Sequence, residues 1–304
     1  MQGGRLEEAK AYFEVLLKKF TQEKKQNRQF LAKICERLGL IETKRGHPER
    51  AREYFQSGLR CLEPGREPLE QYLGLKNFLA ALDLGAGRLP EAIAAYRETH
   101  AAAQDLPWDR RRILTNNDLG AALLRDGQFE AAVAHWQAQL EDLRDREDPF
   151  PYVRCLYQLG QAHLDRGARE QAGEYLERAA ETGKNLHNPE MELRLRNAMA
   201  NLWKDSRPEQ ALAMYELALD AAFQSGEALP TAVVLLNMGH LLAEIGQRAR
   251  ARHCLSQGLR RMEEIPSAAR PYAEALREAR TELESLEAAL RQESESTTVS
   301  NPTE

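Results

Sequence analysis

The chain has 304 residues, 42 basic and 47 acidic side chains, a net charge of -5 and 42% hydrophobic residues. That balance excludes whole-chain disorder and a collagen-like fibre, and it gives no global reason to expect nucleic acid. Cys35, Cys61, Cys155 and Cys254 lie far apart with no CxxC, which argues against a disulfide framework and a zinc knuckle. The amino terminus carries charges where a signal peptide needs an apolar core. A reducing cytoplasm is the expected compartment.

In chain order, the apolar periodicity of three and four predicts a helix over 5–24 and then helical pairs over 27–62, 68–105, 109–146, 149–187, 189–227 and 229–264. No stretch alternates with period two for long enough to form a sheet. Prolines mark the joints: Pro64 and Pro68, Pro107, Pro149 and Pro151, Pro189, Pro230, then Pro266 and Pro271. Each fits a helix stop or a first-turn start. Residues 267–292 form a further expected helix, in which Tyr272, Leu276, Ala279, Leu283, Leu286 and Leu290 make a heptad stripe. That stripe can cap the last pair, dimerise, or signal into another domain, with a dimer through 272–290 as one partner reading. Residues 293–304 read as a polar tail or linker.

One phrase organises all of this: Gly, four variable residues, then Ala. It ends at Ala9, Ala51, Ala92, Ala132, Ala172, Ala211 and Ala251, at separations of 42, 41, 40, 40, 39 and 40 residues. Twelve residues before each alanine from Ala51 on stands Gly39, Ala80, Gly120, Gly160, Met199 or Gly239. Four residues after each alanine comes bulk, as in Phe13, Phe55, Tyr96, Trp136, Leu176, Tyr215 and Leu255. Small residues on both helices of a pair let the backbones approach, and the bulky side chain fills the space beside the contact. The glycine opening each phrase is placed to end the first helix in a left-handed conformation. The fifth full copy departs from this pattern, with Met199 and Ser206 at the small and turn positions.

With Leu38-Gly39, Leu119-Gly120, Leu159-Gly160 and Met238-Gly239 each followed by this alanine, the sequence resembles the tetratricopeptide repeat (TPR) family over about residues 4–265. The forty-residue period resembles its long-helix subclass, that of kinesin light chains and maltose-activator-type regulators. The resemblance implies an all-α, right-handed α-solenoid of antiparallel helix pairs with a capping helix. It also implies a concave groove lined by first-helix residues. Carried onto this chain, those positions are Lys33, Glu36, Arg37, Leu40 and Lys44, then Asn77, then Asn117, Asp118 and Arg125. Arg154, Tyr157, Gln158 and Gln161 follow, then Arg196 and Asn197, and finally Asn237 and His240. Amides can bond both N–H and C=O of an extended peptide, and Arg and Lys take carboxylates. The family's clamp for chaperone tails is not matched, because Val233 and Asn237 stand where its last Lys and Arg belong.

Catalytic signatures are missing: there is no GxxxxGK[ST], GxSxG, HExxH or kinase loop. No cofactor and no metal are expected. The leading expectation is a non-catalytic scaffold that binds a protein or peptide segment. A second is a regulatory arm of a larger signalling protein, such as a bacterial kinase, ATPase or transcription regulator. A third is nucleic-acid binding through residues 1–60, which carry 14 basic against 8 acidic side chains, with Lys18, Lys19, Lys24, Lys25 and Arg28 near the first turn.

Overall fold

A computed structural model describes residues 2–22, 27–62, 69–104, 106, 119–144, 147–226, 228–265 and 272–299. Among them are fourteen helices and no strand. They group into two compact units, 1–137 and 138–304. The division falls inside a helix and not at any of the proline joints.

Unit 1 begins with α1 (Gln2–Thr21), a second helix by its repeat phrase. The pairs α2 (Arg28–Lys44) with α3 (Pro48–Cys61), and α4 (Leu69–Gly85) with α5 (Leu89–Ala103), follow. Then come α6 (Leu119–Arg125) and α7 (Phe129–Leu143), the helix that contains the division. Unit 2 continues with α8 (Phe150–Asp165) and α9 (Arg169–Gly183), and with α10 (Pro189–Trp203) and α11 (Pro208–Ser225). It ends with α12 (Ala228–Glu244), α13 (Arg248–Glu263) and α14 (Ala273–Val299). Proline occupies the first turn of α3, α5, α8, α10 and α11, where its missing N–H costs nothing.

The small positions allow the close pairing that the repeat phrase predicts. A Cβ added to Gly120 would lie 2.2 Å from the Trp136 ring, and one added to Gly39 would lie 2.3 Å from the Phe55 ring. Each alanine of the phrase from Ala51 to Ala251 is fully buried. The turns follow from the same phrase: Gly46, Gly87, Gly127, Gly167 and Gly246 all have φ between 75° and 78°. That left-handed residue lets the next N–H reach back to the fifth carbonyl, as His47 N does to Glu42 O at 2.9 Å. The Met199 copy turns differently. Ser206 has no positive φ, and Arg207 N bonds Trp203 O at 2.7 Å instead. Its helices still close, because the Tyr215 ring is buried and its hydroxyl donates to Asn201 Oδ1.

Helix α14 buries Ala279 and Leu286 in the core of unit 2, and Tyr272, Leu276 and Leu283 pack beside them. The heptad stripe therefore covers the last pair. The helix continues to Val299, past the end expected at 292. Leu286 stands seven residues after Ala279, where complete pairs other than α10/α11 carry the turn glycine, and no Gly or Pro follows until Pro302. Nothing in that stretch breaks a helix.

Candidate functional site

The first helices of unit 2 carry eight of the expected groove residues: Arg154, Tyr157, Gln158 and Gln161 on α8, Arg196 and Asn197 on α10, and Asn237 and His240 on α12. All eight are half-buried, not freely solvated. On α8 the residues 157, 158 and 161 share a face, since three and four residues make one helical turn.

Arg194, which sequence reasoning missed, lies close enough to Tyr157 for its charge to act on the phenol. Burial pushes this phenol above its ordinary range and the Arg194 charge opposes the rise, while Tyr272 beside the start of α14 and Asp165 add to it. Between neighbouring first helices, Asn237 Nδ2 donates to Asn197 Oδ1 at 3.1 Å, forty residues away in sequence. His240 Nδ1 pairs with Glu282 of α14. The carboxylate makes this histidine part of the packing of α14 as well as of the first-helix face. Gln161 Oε1 is buried and has no hydrogen-bond partner among the described residues. An unmade hydrogen bond of this kind costs about 1–3 kcal/mol, which a donor reaching the oxygen would recover.

Arg196 and several expected groove residues of unit 1 are committed within the chain. Arg196 donates to Leu217 O at 2.8 Å and pairs with Glu192, which ties it to α11 and its own helix. In unit 1, Asn77 Oδ1 accepts the Thr99 hydroxyl at 2.6 Å, inside its own pair. Arg125 donates to Leu84 O at 2.9 Å, at the end of α4, and Leu40 packs against the core. Lys33 and Arg37 are exposed on α2. Burial raises Glu36 between them, and the charges of Arg37 and Lys33 oppose that. Asn117 and Asp118 lie outside the described residues, as do Lys24 and Lys25 of the basic cluster.

The remaining chemistry is structural. Burial pushes the Cys35 and Cys155 thiols up to about 12, so neither is a nucleophile near neutral pH. His163 stacks on Tyr175 with ring centroids 5.5 Å apart. Among the described residues, no group of three or more His, Cys, Asp or Glu side chains is placed to hold a metal ion. No helix there is long and apolar enough to cross a membrane.

A tetratricopeptide repeat family model matches residues 153–182, which fall within the α8/α9 pair. No curated protein matches the chain. Among solved structures, a Rap protein complexed with Competence and Sporulation Factor is similar at a TM-score of 0.61 and 13% identity, over 92% of this chain and 80% of that one. Aspartyl phosphate phosphatase F from Bacillus subtilis gives 0.59 at 12% identity, over 87% and 73%. The Rap conjugation gene regulator of plasmid pLS20, in complex with the Phr* peptide, gives 0.58 at 14%, over 85% and 76%. At such identities the likeness speaks for the fold. The repeat phrase, the glycine turns and the close helix pairs agree with the matched segment: residues 153–182 match a tetratricopeptide repeat, and the fold is one of repeated helix pairs.

Proposed function

We propose that the chain is a non-catalytic interaction scaffold whose first-helix face in unit 2 binds an extended peptide or protein segment. The observation that carries this reading is Gln161 Oε1, buried without a partner one turn from Tyr157. A ligand backbone N–H satisfies it, and the neighbouring amides Gln158, Asn197 and Asn237 offer both donors and acceptors to the same strand. Tyr157 adds an amphipathic ring of the kind that anchors interfaces at small entropic cost.

By their own descriptions, one of the similar structures holds the Phr* peptide and another the Competence and Sporulation Factor. This favours a short peptide as the ligand and supports a second reading, that the chain is the regulatory arm of a signalling system.

Affinity capture with the intact chain and with a Tyr157→Ala, Gln158→Ala, Gln161→Ala triple variant tests the proposal. These substitutions leave the buried α8 positions Val153, Leu156 and Leu159 in place. The expected result is loss of the captured partner from a variant whose thermal unfolding is preserved. An unchanged set of partners contradicts it.

A further inference from the structure

The second helices form the other face of the repeats, and their charge changes sign abruptly along the chain. Helix α7 carries Glu130, Glu141 and Asp142 with no base, and α11 carries Glu209, Glu216 and Asp220 with no base. In α9 four glutamates outnumber Arg169 and Arg178. Helix α13 reverses this with Arg248, Arg250, Arg252, Arg260 and Arg261 against the single acid Glu263. Nothing about helix formation demands the reversal, since arginine and glutamate have similar helix propensity.

Helix α13 borders a hollow of about 400 Å3 lined by Met238 of α12 and by Ala249, Arg250, His253 and Cys254 of α13. Its apolar wall comes from Met238, Ala249 and Cys254. Arg250 is fixed at the rim by Glu216 of α11, at 2.8 Å. Arg252 and His253 are exposed and their side chains have no partner among the described residues. A pinned guanidinium and an imidazole thus border an apolar recess, and Arg252 stands next to that imidazole in the chain.

We propose that this hollow is a second recognition surface, and that it takes an acidic protein segment with one aliphatic or aromatic side chain seated in the recess. Carboxylates meet His253 at the rim and the neighbouring Arg252, which offers a bidentate fork, and the apolar side chain displaces water from Met238, Ala249 and Cys254. A nucleic acid fits less well. Its repeating phosphates must run on past α13 onto the acids of α11, and it has no aliphatic group for the recess. The surface is distinct from the first-helix face of unit 2, so the two proposals stand or fall separately.

Fluorescence anisotropy with the full chain tests it, at low and at physiological salt. The probes are a labelled peptide with one leucine between two pairs of glutamates, the same peptide with serine for leucine, and a labelled single-stranded oligonucleotide. Expected are saturable binding of the leucine peptide, several-fold weaker binding of the serine peptide, and about tenfold weaker binding of the leucine peptide by an Arg252→Glu, His253→Glu variant, equal to about 1.4 kcal/mol. Ala249→Phe, which fills the recess without touching the charges, should remove the preference for leucine. The Tyr157→Ala, Gln158→Ala, Gln161→Ala variant should bind the leucine peptide as the parent does. The proposal is overturned by no binding of the leucine peptide, by equal binding of the two peptides, by tighter binding of the oligonucleotide, or by unchanged affinity in Arg252→Glu, His253→Glu.

Discussion

The same position of the repeat does opposite work in the two units. Three residues after the small residue of the first helix, the first two pairs of unit 1 carry Glu42 and Asp83, whereas unit 2 carries His163, Leu202 and Leu242. Glu42 is fully buried and is held by Lys10 and Arg45 at 2.9 Å and by His47 at 2.8 Å. Asp83 is held by Arg52 at 2.6 Å and Arg88 at 2.8 Å. In both cases one partner comes from the residue after the alanine of the preceding second helix, and another from the residue after the turn glycine. Unit 1 thus uses an ionic staple between consecutive repeats, and unit 2 fills the corresponding place with apolar packing at Leu202 and Leu242. In unit 2, polar bonds between repeats lie elsewhere: Asn197 meets Asn237 on the first helices, Arg169 of α9 reaches Leu202 O and Asp205, and Arg250 of α13 meets Glu216 of α11. The candidate recognition face is read in unit 2 because its expected groove residues are half-buried and include Gln161, whose Oε1 has no partner among the described residues.

The largest effect should come from placing the staple acid where no cations await it. Leu242→Glu buries a carboxylate in the α12/α13 core and is expected to cost about 4 kcal/mol, as an uncompensated buried charge does. Urea unfolding measures it, and a cost below about 1 kcal/mol would mean that the two units differ less than their side chains indicate. Glu42→Gln should cost about 3 kcal/mol by leaving the cations around it unpaired. The loss should register first as faster hydrogen exchange of the α1 amides.

The same carboxylate sets a pH dependence. Burial alone would raise its pKa, but the hydrogen bonds from Lys10 and His47 and the charges of Lys10 and Arg45 hold it at about 2. Its contribution is therefore full above the ordinary glutamate value of about 4.3 and is lost as pH falls toward 2. An acid titration of α1 exchange that is flat over this range in the parent chain would refute the staple.

Two smaller changes sharpen what the units share. Gly120→Ala forces the Trp136 ring to move and should cost about 2 kcal/mol. The neighbouring copy shows that such movement is possible, since Ala80 stands opposite Tyr96 with both fully buried. Gly246→Ala meets no neighbour within 4 Å but keeps a φ of 78°, so only backbone strain of about 1 kcal/mol is expected. Ser206→Gly should bring no gain, because that turn has no positive φ to relieve. Thermal unfolding of the three variants gives the order directly.

The repeat phrase made the helices and turns legible because each of its residues answers one steric demand. Gly39, Ala51 and Phe55 are a close approach and its filling, and Gly46 is a left-handed turn. The extent of α14 was less legible. Its end is set by a glycine that is missing, and the polar residues after Gln292 resemble a linker in composition. The site was legible only in part. Position within the first helix named Tyr157, Asn197 and Asn237, but it also named Arg196, Arg125 and Leu40, which the chain uses for its own carbonyls and core. An offset along a helix gives direction and carries no information on which neighbour reaches the side chain first. Arg194 and Glu282 escaped for the same reason, since each matters only through the Tyr157 or His240 beside it. The charge reversal at α13 was available from sequence once charges were counted helix by helix.

The central claim is that recognition occurs on the first-helix face of unit 2. Site-specific photo-crosslinking tests it most directly, with a photoreactive residue placed at position 158 on α8 or at position 177 on the exposed side of α9. The account predicts that the captured partner crosslinks from 158 and not from 177. Crosslinking from 177 with none from 158 would contradict it.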